Sequence, residues 1–431
     1  MIKALVLLAA GLAASAHAAP SPILKTFTLE DATRLALLND ARLLSAEQDV
    51  IIAQERVNEA RFLFLPEFGL QASATKYEAR YPMSTSSDLG NILLFPNQGP
   101  FSDGLGNTDA FYSGRGYMNM SLYEGGKTLN TLRLAEAAQK QALSNHESVH
   151  MDLQLSVKEV FFRLILAQER VAATAEFLKA VERVVDGGRL DAWERIEAEA
   201  LLGAARAKDS ESAHNLDLAR LNFLKNINLE LDTPFQVSGD LETRPVDIDI
   251  EKAVLWAVEL RPELQSETYK AEMDAITVNL ATSRRSPRVF VASDYELTGQ
   301  RFPVRENNWD ASIGVKIPFA YDFWSQLREK KAEQRQGQLK RAELQDRVRL
   351  EVRQANENLR YWQKEWPIRE THYRRVRDMY DAAARQTAAA LSRMRAMEGL
   401  LDLQLSYLTA VTEHIIARAR LERAVGRDIA P

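Results

Sequence analysis

The chain contains no cysteine, which excludes a disulfide framework, thiolate metal sites and lipid attachment through an N-terminal cysteine. It also lacks a basic excess. Lys and Arg number 55 against 60 Asp and Glu, giving a net charge of −5, with both signs mixed along the chain. No basic patch marks nucleic acid as a partner. After residue 18 no apolar run approaches the length of about 20 residues that a transmembrane helix needs. Lipid tolerates no open sheet edge, so any membrane crossing must use closed β-structure. Proline is absent between Pro100 and Pro234, and only Pro367 lies between Pro318 and Pro431.

What is present fits a folded, exported chain. A hydrophobic content of 46% over 431 residues excludes wholesale disorder. Lys3, the apolar stretch 4–14 and the small-x-small run Ala16-His17-Ala18 predict a signal peptide over residues 1–18. The two proline-poor windows predict long helices, from about Gly126 to Glu230 and from about Phe323 to Arg427. The first shows Leu153, Val157, Val160, Phe161, Leu164 and Ile165 at helical spacing. Asp186-Gly187-Gly188 is the expected turn between its two arms. Arms of roughly 40 to 60 residues exceed ordinary globular helices and point to coiled-coil packing. Pro367 is expected to kink the second long helix.

Between the helices the pattern changes to a period of two. Trp309, Ala311, Ile313, Val315 and Ile317 alternate with Asn308, Asp310, Ser312, Gly314 and Lys316. Further strands are expected near Val289–Leu297, Phe68–Arg80 and Phe111–Tyr123. Each is about the length of a tilted membrane strand, although soluble hairpins on a core fit the four segments equally well. An internal duplication organises the chain. Sliding residues 29–66 onto 250–287 matches Glu30/Glu251, Ala32/Ala253, Ala36/Ala257, Leu43/Leu264, Ser45/Ser266, Val57/Val278, Asn58/Asn279, Ala60/Ala281 and Pro66/Pro287. Chance would supply roughly three such matches. The repeats are expected at 19–245 and 246–431, each a helix, two strands and a long helical hairpin. One chain then offers four strands, whereas closure needs about eight or more, so a barrel requires several copies.

These features resemble the TolC-like outer-membrane efflux proteins. The likeness is carried by Phe27-Thr28-Leu29-Glu30-Asp31-Ala32 with Ala36, Leu37 and Asn39, by Asn58-Glu59-Ala60-Arg61 and Leu65-Pro66, by Leu122-Tyr123-Glu124-Gly125-Gly126-Lys127, and by Arg420-Leu421-Glu422-Arg423-Ala424-Val425-Gly426. It covers nearly the whole chain after residue 18. The resemblance implies a mainly α fold with a membrane β-barrel: a homotrimer with a 12-stranded barrel and an α-helical tunnel across the periplasm. It implies a passive exit duct in a tripartite efflux or type I secretion system, with no enzyme activity and no cofactor. The implied partners are a periplasmic membrane-fusion adaptor, an inner-membrane pump of RND or ABC type, and outer-membrane lipid.

The family's first hairpin tip carries glycine, matched here by Gly187-Gly188-Arg189-Leu190-Asp191; the second tip, within Ala383 to Leu391, has none. Pro367 resembles a proline in branches of the family that include heavy-metal efflux channels. Charges gather near both tips, among them Glu182, Arg183 and Arg195 in the first and Arg377 and Asp381 in the second. Asp186, Arg189, Asp191, Arg385 and Arg393 are the candidates for a periplasmic gate, against the alternative of ordinary solvated helix charge. Arg115, Asp310 and Lys316 are the candidates for the barrel lumen. Tyr77, Tyr81, Tyr112 and Trp309 are candidates for an interfacial aromatic girdle. The loop from Tyr81 to Ala110 is expected outside the cell, with the apolar run Ile92-Leu93-Leu94-Phe95 folding back on the barrel.

His146-Glu147-Ser148-Val149-His150 is a literal H-E-x-x-H. Its polar flanks and its place midway along a very long helix favour a solvated stripe over a zinc site. A soluble periplasmic coiled-coil adaptor is the alternative from another class. Such adaptors usually have one helical hairpin, whereas this chain predicts two.

Overall fold

The structure is a computed structural model. It describes residues 25–76, 83–87, 90–94, 110–187, 191–299, 304, 306–319, 321–383 and 389–429. The expected signal peptide, Tyr77, Tyr81, Phe95, Arg189 and Arg385 lie outside the described residues.

In chain order the elements are β1 (Lys25–Phe27), α1 (Leu29–Asn39), α2 (Ala41–Phe62), β2 (Glu67–Lys76), β3 (Met83–Ser87), β4 (Gly90–Leu94), β5 (Ala110–Tyr123), α3 (Lys127–Gly187) and α4 (Ala192–Asn226). There follow β6 (Phe235–Val237), α5 (Ile250–Leu260), α6 (Pro262–Ser283), β7 (Arg288–Gly299), β8 (Glu306–Lys316), α7 (Phe323–Ala383) and α8 (Ala390–Val425). The unit of short helix, strands and long hairpin occurs twice, as the sequence leads one to expect. Among the described residues no helix is long and apolar enough to cross a membrane.

Local chemistry sets the boundaries. Thr28 and Asp31 form a capping box at the start of α1, which satisfies helix-end N–H groups that have no partner within the helix. Asp40 then ends α1 and caps α2 by accepting from the N–H of Arg42 and Leu43. In the second repeat Pro262 occupies the first turn of α6, where its missing N–H costs nothing. Each repeat thus has two helices before its first strand, where the periodicity pointed to one. Pro367 lies inside α7 without breaking it. The 61-residue helix packs along α8 there, through Trp366 against His414 and Tyr373 against Tyr407. Gly125 and Gly126, with φ of +63° and +80°, turn the chain from β5 into α3.

The helices form a wall four wide. In its upper part, next to the strands, α3 packs between α2 and α6, and α7 lies beyond α6. In its lower part α3 packs between α4 and α8, and α7 lies beyond α8. The two long helices therefore run the full height, about 90 Å for 61 residues, while shorter helices fill each half. At mid-height α1 and α5 lie across this wall. Phe27, Phe161 and Phe223 are fully buried there against α1, and Val348, Val352 and Leu421 against α5. The parallel pair β1–β6, which sequence periodicity did not reveal, holds Phe27 in place beside Phe235. A third core, with Phe177, Val181, Leu202 and Met394, occupies the lower half.

β2, β5, β7 and β8 form one antiparallel sheet in that order. β3 and β4 form a separate hairpin that includes Ile92, Leu93 and Leu94, so part of the expected loop is paired strand.

Candidate functional site

The four-stranded sheet is two-faced. Register places Phe68, Leu70, Met118, Val291, Tyr295, Trp309, Ala311 and Ile313 on one side. Leu70 is 93% exposed, Trp309 72% and Ile313 74%. A contiguous exposed apolar surface of this kind marks a face that meets something other than water. The other side carries Gln71, Ser73, Ser113, Arg115, Asn119, Asp294, Glu296, Asn308, Asp310 and Lys316. Two aromatic rings on the polar side, Tyr117 and Phe290, lie over Gly69 and Gly314 of neighbouring strands; a side chain at either glycine would displace the ring.

All three lumen candidates, Arg115, Asp310 and Lys316, lie on that polar face. Arg115 bridges strands, donating from Nη2 to Asp294 Oδ1 at 3.2 Å. Ser113 Oγ donates to Glu296 Oε1 at 2.8 Å. Asp294 and Asp310 are direct cross-strand partners, and one oxygen of each, Asp294 Oδ2 and Asp310 Oδ1, is buried without a donor. Lys316 is exposed at the helix end of the sheet, opposite Arg288. Asp294 and Glu296 complete this constellation. Both alternate with Val291, Tyr295 and Leu297 along β7, but no local pattern says which residue of another strand each would meet.

The hairpin tips separate the gate candidates by role. Asp191 caps α4, accepting from the N–H of Trp193 and of Glu194 at 2.8 Å each, and Glu194 reciprocates to the Asp191 N–H. Asp186 is exposed on the last turn of α3. Arg393 lies on the first turns of α8 beside Tyr380 of α7. Burial raises the Tyr380 phenol above its usual value, and the Arg393 charge opposes that rise. A cavity of about 330 Å³ opens nearby between α3, α7 and α8, lined by Glu176, Arg183, Tyr373, Arg377, Tyr380 and Asp381. Ion pairs tie α4 to α8 just above the tip: Lys208 to Glu398 and Asp402 at 3.1 Å each, and Arg395 to Glu197.

Sequence reasoning missed a charge network at mid-height. Glu263, at the start of α6, accepts from Arg423 of α8 and from Arg261 Nε at 3.3 Å. Ser148 of α3 donates to it at 3.1 Å. Arg423 also donates to Asp152 of α3 at 2.7 Å, and Arg261 to Glu351 of α7 at 2.6 Å. Burial pushes the Glu263 carboxyl up, but the Arg423 hydrogen bond and the charges of Arg261 and Arg423 outweigh it and hold the group at about 2. Three helices from both repeats, α3, α6 and α8, meet at this one carboxylate, and α7 joins through Glu351 and Arg261. The only hint in the sequence was Arg423 within the run that closes the second repeat.

The H-E-x-x-H segment lies on α3 beside this network, where Ser148 serves Glu263. Among the described residues no three His, Cys, Asp or Glu side chains converge as a metal site would require. Below the network His414 is fully buried, with Nδ1 bonded to Thr243 Oγ1 and its ring 6.3 Å from that of Trp366.

Residues 32–189 match the family model described as outer membrane efflux protein. No curated protein matches the sequence closely enough to count as a relative. Solved structures do. The Campylobacter jejuni CmeC outer membrane channel is 14% identical with a TM-score of 0.78, covering 92% of this chain and 85% of its own. The Vibrio cholerae outer membrane protein VceC is 16% identical with a TM-score of 0.74, covering 93% and 97%. The Neisseria gonorrhoeae MtrE outer membrane channel is 17% identical with a TM-score of 0.72, covering 94% and 91%. Over residues 32–189 the sequence thus matches the outer membrane efflux protein family, and over nearly its whole length the chain is similar in fold to these outer-membrane channels.

Proposed function

We propose that three copies of this chain close a barrel in the outer membrane and continue it as a helical tunnel through the periplasm. The duct is passive and driven by an inner-membrane pump of RND or ABC type through a periplasmic adaptor. Efflux and type I secretion both use such a duct. The observation that carries the reading is the open four-stranded sheet with β2 and β8 at its edges. One face is apolar and exposed, so the sheet belongs in lipid. In lipid the unpaired N–H and C=O groups of two edge strands cost several kcal/mol each. Pairing β8 of one copy with β2 of the next removes both edges, and three sheets of four strands give twelve.

The helical wall supports the same assembly. Its two free sides carry exposed apolar side chains: Leu44 and Ile51 on α2 and Trp193 and Ile196 on α4 at one side, Leu339, Leu350 and Ile368 on α7 at the other. Neighbouring copies bury them against each other. Residues 19–245 and 246–431 act as the two repeats of the mature chain, after removal of 1–18. The polar sheet face lines the hole, where Arg115, Asp310 and Lys316 bias ion passage. Asp186, Arg189, Asp191, Arg385 and Arg393 act at the tips, where they restrict the periplasmic entrance. No step of this function requires catalysis or a cofactor.

Planar-bilayer recording on the detergent-purified protein, with its oligomeric state measured by light scattering, tests the proposal. A trimer with steady ion conductance is expected; a monomer that passes no ions would refute it. Replacing Asp186 and Asp191 together by alanine should raise single-channel conductance. Unchanged conductance would remove these two from the gate.

A further inference from the structure

We propose that the junction between the second repeat's strands and helices holds the phosphate headgroup of an anionic phospholipid. The site is built from Arg284 and Arg285 after α6 and from Phe323 and Trp324 at the start of α7. This rests on the membrane-barrel reading above. The apolar sheet face runs out of β8 through Ile317 and Phe319, which keep its alternation, to the exposed Tyr321 and Trp324. Arg284 and Arg285 sit at the same level, just before β7 begins at Arg288. A lipid whose tails cover that face therefore places its headgroup beside these guanidinium groups.

The chemistry fits a phosphate. The Arg285 guanidinium lies 5.7 Å from the Phe323 ring centre and 5.8 Å from that of Trp324. The two rings meet edge to face at 5.1 Å. An aromatic floor fixes one face of the guanidinium and leaves its N–H edge free for a bidentate bond to phosphate oxygens. Arg284 is tethered at its side, bonding Gln326, which in turn bonds Asp322. Both arginines are exposed, and among the described residues no carboxylate pairs with either. The first repeat supplies a comparison. At the duplicated positions it carries Leu63 and Phe64, both exposed and apolar. At these two positions the guanidinium pair thus stands in the second repeat only; the first junction has Arg61 at the end of α2 and Lys127, which pairs with Glu124.

The test uses the full-length trimer in detergent with spin-labelled lipids. The immobilised fraction is compared for phosphatidylglycerol and phosphatidylcholine. The wild type should favour phosphatidylglycerol about fivefold, the factor expected for one basic residue near an anionic surface. R285Q should bring the ratio close to one. R285K keeps the charge without the planar fork and should fall between, which separates lost binding from lost folding. Millimolar inorganic phosphate should leave the preference intact; if it abolishes the preference, the site serves free phosphate and the proposal fails. Equal immobilisation of both lipids by the wild type overturns the site while leaving the barrel standing. No immobilised lipid of either kind would overturn the barrel itself.

Discussion

Replacing Glu263 by glutamine should destabilise the helical wall by about 3 kcal/mol at neutral pH, with a pH dependence that identifies the cause. The carboxyl sits at about 2 against an ordinary 4.5, and each decade of that difference is worth about 1.4 kcal/mol of preference for the ionised form in the folded state. The Glu263 side chain is 25% exposed and that of Arg423 10%, so solvent does not screen the pair as it would at the surface. Removing the charge also leaves two buried arginines short of a partner, a change that costs about 3–5 kcal/mol in comparable sites. The sign follows from the lowered pKa: the stabilisation is complete above 4.5 and disappears as pH falls through about 2. The difference between wild type and E263Q should therefore hold at about 3 kcal/mol down to pH 4.5 and shrink to about 1 kcal/mol at pH 3. Guanidinium unfolding of the full-length protein at fixed protein concentration, followed by its helical circular dichroism, measures this. A penalty below about 1 kcal/mol at pH 7, or one that stays constant from pH 7 to 3, would refute the reasoning. E351Q is the internal control. Its carboxylate is 43% exposed, so its loss should cost no more than about 1 kcal/mol.

Three further outcomes are expected. Burial, aided by the Arg418 charge, holds His414 at about 4, below its ordinary 6.5. Its stabilisation is present above pH 6.5 and is lost as pH falls through 4, by about 3 kcal/mol in all. His414→Gln should flatten the wild-type stability profile across that window, and an unchanged slope would assign the loss to other groups. At the first tip, Asp191→Ala should cost about 1 kcal/mol of helix stability through the lost cap, whereas Asp191→Asn should keep the cap and lose only charge. Hydrogen exchange of the first α4 amides separates the two, and equal exchange in both variants would deny the cap its role. Gly125→Ala should weaken the β5–α3 junction by about 1–3 kcal/mol, because the position is left-handed and its new methyl meets Ser286. A melting temperature equal to wild type would refute that.

Much of the architecture is local and was therefore legible. The period of 3.6 and the missing prolines marked α3, α4, α7 and α8 to within a few residues, and Gly187 marked the first tip. The period of two marked β8 and sorted Trp309 and Ile313 from Asp310 and Lys316, because successive strand side chains point to opposite sides. Self-similarity at a fixed offset exposed the repeated unit. What failed was also physical. Asp40 and Pro262 divide each early helix in two, yet the hydrophobic pattern runs past both with little change. Pro367 is expected to kink α7, which continues through it. The three-residue strands β1 and β6 are too short for any periodicity and exist only because they find each other across the chain.

The sequence by itself determined where the chain coils into long helices, where it extends, and which side of each strand is apolar, since these follow from the order of neighbouring residues. Only the tertiary structure decided the strand order β2-β5-β7-β8, the meeting of Arg115 with Asp294, and the docking of Arg423 on Glu263. Those partners belong to different elements, as with Arg423 and Glu263 160 residues apart. No local pattern encodes a contact that exists only once distant helices and strands have packed side by side.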